Sequence, residues 1–194
     1  MIFLEPFTEA DFPQLIAWLD CEPLLKVCFG PKFTFPLTPG QLRQHVRDAN
    51  VPGHSERLVY KALDAGTGVP IGHIALDHLN WDARTGRISQ VLVGQLADRG
   101  RGYGQAITQA ALAIGFDELG LHRIGLGVYD FNAAAIRCYE QCGFRHIGTL
   151  RHVLRYDDEY WSSAEMSLLA SEWRQAQGKR APAPHARGQL AEAN

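Results

Sequence analysis

The sequence predicts an α+β fold, a central mixed but mostly antiparallel twisted sheet of about seven strands flanked by helices. Three observations carry this. Helical periodicity dominates before residue 50, hairpin signals follow, and from Gly86 onward strand and helix signatures alternate. The composition fits: of 194 residues, 46% are apolar and 21% charged, enough to build a core without disulfide staples.

Taken in order, Ile2 to Phe7 has an extended character. Thr8-Glu9-Ala10-Asp11 reads as a helix start, with Phe12, Leu15, Ile16 and Leu19 following at helical spacing. Residues 20–37, with Pro23, Gly30, Pro31 and Pro36, read as a loop. Thr38-Pro39-Gly40-Gln41 opens a second helix through a capping box and is expected to run to about Asn50. Arg57–Leu63 and Val69–Leu76 form two strands around Asp64-Ala65-Gly66-Thr67-Gly68, a hairpin signal. A strand from Gly86 ends in the apolar run Val91-Leu92-Val93, as a strand buried on both faces would. A helix from Gly104 to about Leu119, a strand at Arg123–Val128 and a short helix from Asn132 to Gln141 follow. Gly143 stops that helix as a left-handed cap. Strands around Phe144–Leu154 and Glu159–Leu169 close a single domain over residues 1–177. The Pro-, Ala- and charge-rich stretch over 178–194 is expected to be disordered.

Nineteen basic and twenty-one acidic residues leave a formal charge of −2. That supplies no cationic field for nucleic acid or an anionic membrane. No apolar run reaches the roughly 18–20 residues of a membrane span. The start Met1-Ile2-Phe3-Leu4-Glu5-Pro6 has no basic region before an apolar one, so a cytoplasmic protein with reduced thiols is expected. Cys138 and Cys142 share a helix face but have no His or acidic partner at ligand spacing. Ordinary packing is expected of them, and no metal.

The most informative stretch is Arg99-Gly100-Arg101-Gly102-Tyr103-Gly104, between a buried strand and a helix start. Free backbone N–H groups and the positive helix end make such a place an anion site, and glycines let the chain come close. A Walker loop needs GxxxxGK[ST], which is absent. A dinucleotide fingerprint needs a third glycine, where Ile107 stands. An RxxGxG turn after a buried strand remains. About 28 residues beyond Gly104, Asn132-Ala133-Ala134-Ala135-Ile136-Arg137-Cys138-Tyr139 leads into Gly143-Phe144.

Together these two motifs resemble those of the GNAT superfamily of acetyl-CoA-dependent N-acetyltransferases, the second matching NxxAxxxYxxxGF. The resemblance covers roughly residues 2–173. Trp18-Leu19-Asp20, Phe35-Pro36-Leu37-Thr38 and Asp158-Glu159-Tyr160-Trp161 resemble strings of the ribosomal-protein N-terminal acetyltransferase branch. The resemblance implies a GNAT-type fold and acetyl-CoA as cosubstrate. It implies that the diphosphate lies on the amides of Arg101 to Gly104, with the Arg99 and Arg101 side chains near the phosphates and Gly100 in the same cofactor-binding loop. The pantetheine arm would pair with the backbone of Val91-Leu92-Val93, where an N–H of Val91 or Val93 would polarise the thioester carbonyl. Asn132, besides capping its helix, would touch the arm, and Tyr139 would return a proton to the leaving thiolate.

The family's strand carboxylate has no counterpart in Gly86-Arg87-Ile88-Ser89-Gln90-Val91. An α-amine, pKa about 7.7–8.0, is largely uncharged at neutral pH, whereas deprotonating a lysine costs some 4 kcal/mol. A site without a strong base therefore suits a peptide N-terminal α-amine or a small-molecule amine. A silent acyl-CoA-binding module and a polyamine- or aminoglycoside-type transferase are the alternatives. His73, Asp77, His78 and Glu165 are further base candidates, and His122 reads as structural. Residues 20–37 and Asp157-Asp158-Glu159-Tyr160-Trp161 are expected to wall the acceptor pocket, the acidic run reading equally as a solvated hairpin turn. Either a monomer or a homodimer fits, the latter through the C-terminal edge strands.

Overall fold

In the computed structural model, which describes residues 2–178, seven strands form one sheet in the order β1-β2-β3-β4-β5-β7-β6. They are β1 (Ile2–Pro6), β2 (Leu58–Asp64), β3 (Pro70–Asn80), β4 (Thr85–Val93), β5 (Arg123–Tyr129), β6 (Arg145–Tyr156) and β7 (Glu159–Leu169). Every neighbouring pair is antiparallel except β4 with β5. The helices are α1 (Phe12–Trp18), α2 (Glu22–Phe29), α3 (Pro39–Val46), α4 (Tyr103–Ala113), α5 (Ala133–Gln141) and α6 (Ala170–Ala176).

One face of the sheet carries Ile74, Leu76, Ile88 and Leu126 against Ile107, Ala111 and Leu112 of α4, with Phe116 and Trp173 extending the cluster. The other carries Val59, Ala75 and Leu92 against Leu15, Leu25, Phe29 and Leu42 of α1–α3. Gly72 lets the layers close: a Cβ there would strike the Leu92 carbonyl and Ile107 Cδ1. At Gly94 the Trp18 indole occupies the space a side chain would need.

Residues 20–37 correct the sequence reading. They hold α2, because Pro23 sits in the first helical turn, where its missing N–H costs nothing, and Gly30 ends the helix at φ +60°. α3 stops at Val46 because Arg47 is already extended, and Thr38 caps it by accepting the Gln41 N–H at 3.4 Å. The Gln41 side chain completes no box; it binds Thr34 and Pro36 and pins the preceding loop. α4 ends at Ala113 and continues as a wider π turn over Ile114–Glu118. Gly143 caps α5 at φ +98°. α6 was not expected; it is held by Trp173 against Phe116, ring centroids 6.0 Å apart. Of the stretch expected to be disordered, only Gly178 falls within the described residues.

The parallel β4–β5 ladder covers only Thr85–Arg87 against Arg123–Gly125. Beyond it β4 stays with β3 to Val93, and β5 stays with β7. The two central strands therefore part.

Gly72→Ala adds one methyl to a packed interface and is expected to destabilise the fold by about 1–3 kcal/mol. Urea unfolding should show a lower midpoint at unchanged slope; an unchanged midpoint would disprove the close approach.

Candidate active site

Three residues past the end of that ladder, β4 carries a bulge. β3–β4 pairing runs His73↔Leu92 and then Ala75↔Ser89, so one extra β4 residue stands opposite Ile74. Gln90, at φ +56°, is that irregularity. Its carbonyl lies 3.0 Å from His73 Nδ1. A carbonyl only accepts, so Nδ1 carries the proton. His73 is buried between Phe7 and Phe29. Burial pushes its pKa down to about 4. This candidate base is thus a neutral brace under the bulge.

After the bulge, the Gly94 N–H bonds the Ile71 carbonyl on β3. Strand alternation turns the main-chain groups of Val91 and Val93 the other way, toward the opening. Arg99 Nε takes the Val93 carbonyl at 3.3 Å.

Two cavities meet in this opening. One, of about 520 Å³, is lined by Val91, Leu92, Val93, Arg99, Gly100, Gly102 and Gly104. Gly100 and Gly102 take φ +75° and +84°, which spares these residues strain. The Arg101 and Tyr103 side chains do not form its wall. Arg101 pairs with Asp98 at 3.2 Å and lies over the Tyr103 ring, so only main-chain N–H groups could serve here. Arg137, Gln105 and Cys138 join the wall, none of them expected from the sequence. Arg137 adds a second cation beside Arg99.

The other cavity, of about 380 Å³, lies between the end of α2, the parted strands and β6. Val27, Cys28, Val91, Asn132, Ala135 and Tyr139 line both. Asn132 caps α5, its Oδ1 accepting the Ala135 N–H at 3.1 Å. Burial raises the Tyr139 phenol above its usual range, and nearby Cys138, Cys28 and Cys142 add to the effect. It therefore stays protonated at neutral pH. Burial likewise lifts the Cys28 thiol, to about 11, which removes its nucleophilicity.

Of the other candidates, Glu165 and His78 line the second cavity and Asp77 does not. Burial works to raise the Asp77 carboxyl, but Lys32 and Arg57, each 3.3 Å away, outweigh it and hold it low. His122 is exposed, its main chain bonding Arg84 and Ala170, as a structural residue's would. Residues 157–161 also leave the wall. Asp158 is fully solvated at the hairpin tip, and Trp161 packs among Tyr129, Phe131 and Tyr156. Leu150, Val153 and Leu154 of β6 take their place. Glu165 binds Arg87, 2.7 Å away, a pairing that spans 78 residues of sequence. Among the described residues no group of three or more His, Cys, Asp or Glu is placed to hold a metal. No helix there is long and apolar enough to cross a membrane.

The acetyltransferase (GNAT) domain family matches residues 2–145. The chain belongs to the GNAT acetyltransferase family. Within it, a spermidine N(1)-acetyltransferase of Vibrio cholerae serotype O1 is 28% identical over 103 residues, 53% of this chain and 58% of that protein. The uncharacterized N-acetyltransferase YnaD of Bacillus subtilis is 30% identical over 73 residues, 38% and 43% of the two chains. The chain thus spans about half the length of these curated relatives. Its GNAT fold is also that of a Vibrio cholerae spermidine N-acetyltransferase solved with CoA and spermine. That likeness has a TM-score of 0.74 at 22% identity, covering 89% of this chain and 97% of that one. A dodecameric structure of the Vibrio cholerae enzyme superposes with TM-score 0.69 at 21% identity, covering 89% and 95%.

Burial also lowers the pKa of His45, to about 3, so two imidazoles stay neutral in the folded chain. Unfolded, each binds a proton near pH 6.5, so stability is whole above that pH and declines as pH falls toward 4. Urea unfolding at pH 7, 6 and 5 should show this decline, and His73→Gln should flatten it. A decline that His73→Gln leaves unaltered would contradict the assignment.

Proposed function

We propose that the chain is an acetyl-CoA-dependent N-acetyltransferase that moves the acetyl group directly onto an uncharged primary amine, with the α-amine of a peptide or small molecule as acceptor. The carrying observation is the meeting of the two cavities at Val91, Asn132 and Tyr139. Glycine amides and Arg99 suit the diphosphate in one, and the other opens to solvent for the amine.

The amine nitrogen attacks the thioester carbon while an N–H of Val91 or Val93 stabilises the developing oxyanion. The C–S bond then breaks, and Tyr139 protonates the departing thiolate, its own proton being restored from solvent. The nitrogen loses its proton to solvent or to Glu165. No covalent acyl-enzyme is needed, and Cys28, held protonated, is not suited to form one.

A second reading, a polyamine acceptor, draws on the names of the Vibrio cholerae relatives. Against it stands the charge in the acceptor cavity. Among the described residues its one carboxylate, Glu165, is already paired with Arg87, whereas a polycation favours several free carboxylates. The resemblance of Trp18-Leu19-Asp20, Phe35-Pro36-Leu37-Thr38 and Asp158-Glu159-Tyr160-Trp161 to the ribosomal-protein N-terminal acetyltransferase branch favours the first reading.

CoA release should be followed with peptide N-termini, spermidine and an aminoglycoside as acceptors. Peptide α-amines should give the highest kcat/KM at pH 7. Preference for spermidine would favour the second reading, and CoA binding without turnover would leave a binding module. Tyr139→Phe should lower kcat roughly 10²-fold without weakening CoA binding. Gly102→Val, strained at φ +84°, should weaken CoA by at least about 10-fold in calorimetry. Full activity in either variant would contradict the assignment.

A further inference from the structure

Arg87 leaves β4 at the last residue paired with β5, crosses β5 and reaches Glu165 on β7. The Arg87 Nη2–Glu165 Oε2 distance is 2.7 Å, and Ser163 Oγ donates to Glu165 Oε1 at 3.1 Å. The pair lies in the wall of the acceptor cavity. Its bed consists of two glycines. A Cβ at Gly125 would sit 3.6 Å from Arg87 Nη1. One at Gly127 would sit 2.7 Å from Glu165 Oε1, 2.8 Å from Ser163 Oγ and 3.2 Å from Arg87 Nη2. No other side chain fits at position 127 while the pair holds this geometry.

Most of the hydrogen-bonding capacity of the pair is unused. Nε, Nη1 and the second Nη2 hydrogen of Arg87 make no other hydrogen bond among the described residues, and both Glu165 oxygens keep spare lone pairs. A guanidinium and a carboxylate held side by side match a ligand with a positive nitrogen and a carbonyl or carboxylate oxygen on adjoining carbons. An α-amino carbonyl compound has that arrangement. A polyamine lacks it, since its second ammonium would meet a guanidinium.

We infer that Arg87 and Glu165 form a two-ended acceptor subsite for α-amino carbonyl compounds, Glu165 taking the ammonium nitrogen and Arg87 the neighbouring oxygen. This rests on the acetyl-transfer reading for its place in catalysis, but binding alone can test it. The plain alternative is a strap that ties β4 to β7 where the main-chain ladder ends.

The test uses the full chain saturated with CoA and follows the Arg87 Nε–H NMR resonance. A short peptide with a free N-terminus is compared with butylamine and spermidine as probes. The peptide should shift the resonance saturably and well beyond the shift given by the two carbonyl-free amines, whose nitrogen meets Glu165 alone. In turnover, Arg87→Gln should raise KM for the peptide roughly 10-fold or more at unchanged CoA affinity, without raising KM for butylamine. Glu165→Gln should raise KM for both amines. The subsite is overturned if butylamine shifts the resonance as the peptide does. It is overturned also if Arg87→Gln changes both KM values alike, or only lowers Tm. A saturable peptide shift in a protein that turns over no amine would retain the subsite and reject the transferase reading.

Discussion

A single hydrogen bond holds the irregularity in β4 beside which both cavities open: His73 Nδ1 to the Gln90 carbonyl. A bulge turns a carbonyl out of the ladder, and a buried carbonyl needs a donor. The imidazole supplies one while remaining uncharged among aromatic rings. β4 leaves β5 after three residues and, with the bulge held, keeps its pairing to β3 as far as Val93. The main-chain groups of Val91 and Val93 then face an opening instead of a strand. α4 starts at one end of that opening with its glycine turn, α5 starts at the other with Asn132, and both cavities follow.

Charge in the site is arranged sparingly. Tyr139 is kept protonated by burial, Cys28 is kept from reacting, and among the described residues the one acidic side chain lining the cavity beside β6 is held by a guanidinium. A site of this kind does not depend on a strong base. Under the proposed reaction it suits an amine that gives up its proton near neutral pH, as an α-amine does more readily than a lysine side chain.

Local signals were legible in the sequence. The Thr38 cap, the hairpin at Asp64–Gly68, the glycine turn before α4, Asn132 as the cap of α5 and Gly143 as its stop each depend on a few neighbouring residues. They sufficed for the order of the strands and of α1, α3, α4 and α5, and for the seven-stranded sheet. Long-range placement was not legible. Nothing near Arg87 announces that it meets Glu165, and Gly125 and Gly127 look like ordinary strand positions until the guanidinium above them is seen. α2 escaped because two prolines and a glycine outweigh two turns of periodicity, and Arg137 because one arginine on a polar helix face carries no signal. Asp157 to Trp161 were misplaced for a related reason: an acidic, aromatic string looks like a binding wall, yet hairpin geometry sends its charges to solvent and Trp161 onto its neighbours.

The central claim is that the main chain around the parted strands receives the cofactor. Hydrogen exchange resolved to single amides, with and without CoA, tests it most directly. The amides of Val91, Val93 and residues 101–104 should slow markedly on CoA addition, well beyond those of β1, β2 and α3. Exchange that stays unchanged at these amides, or slows only elsewhere on the surface, would contradict the account.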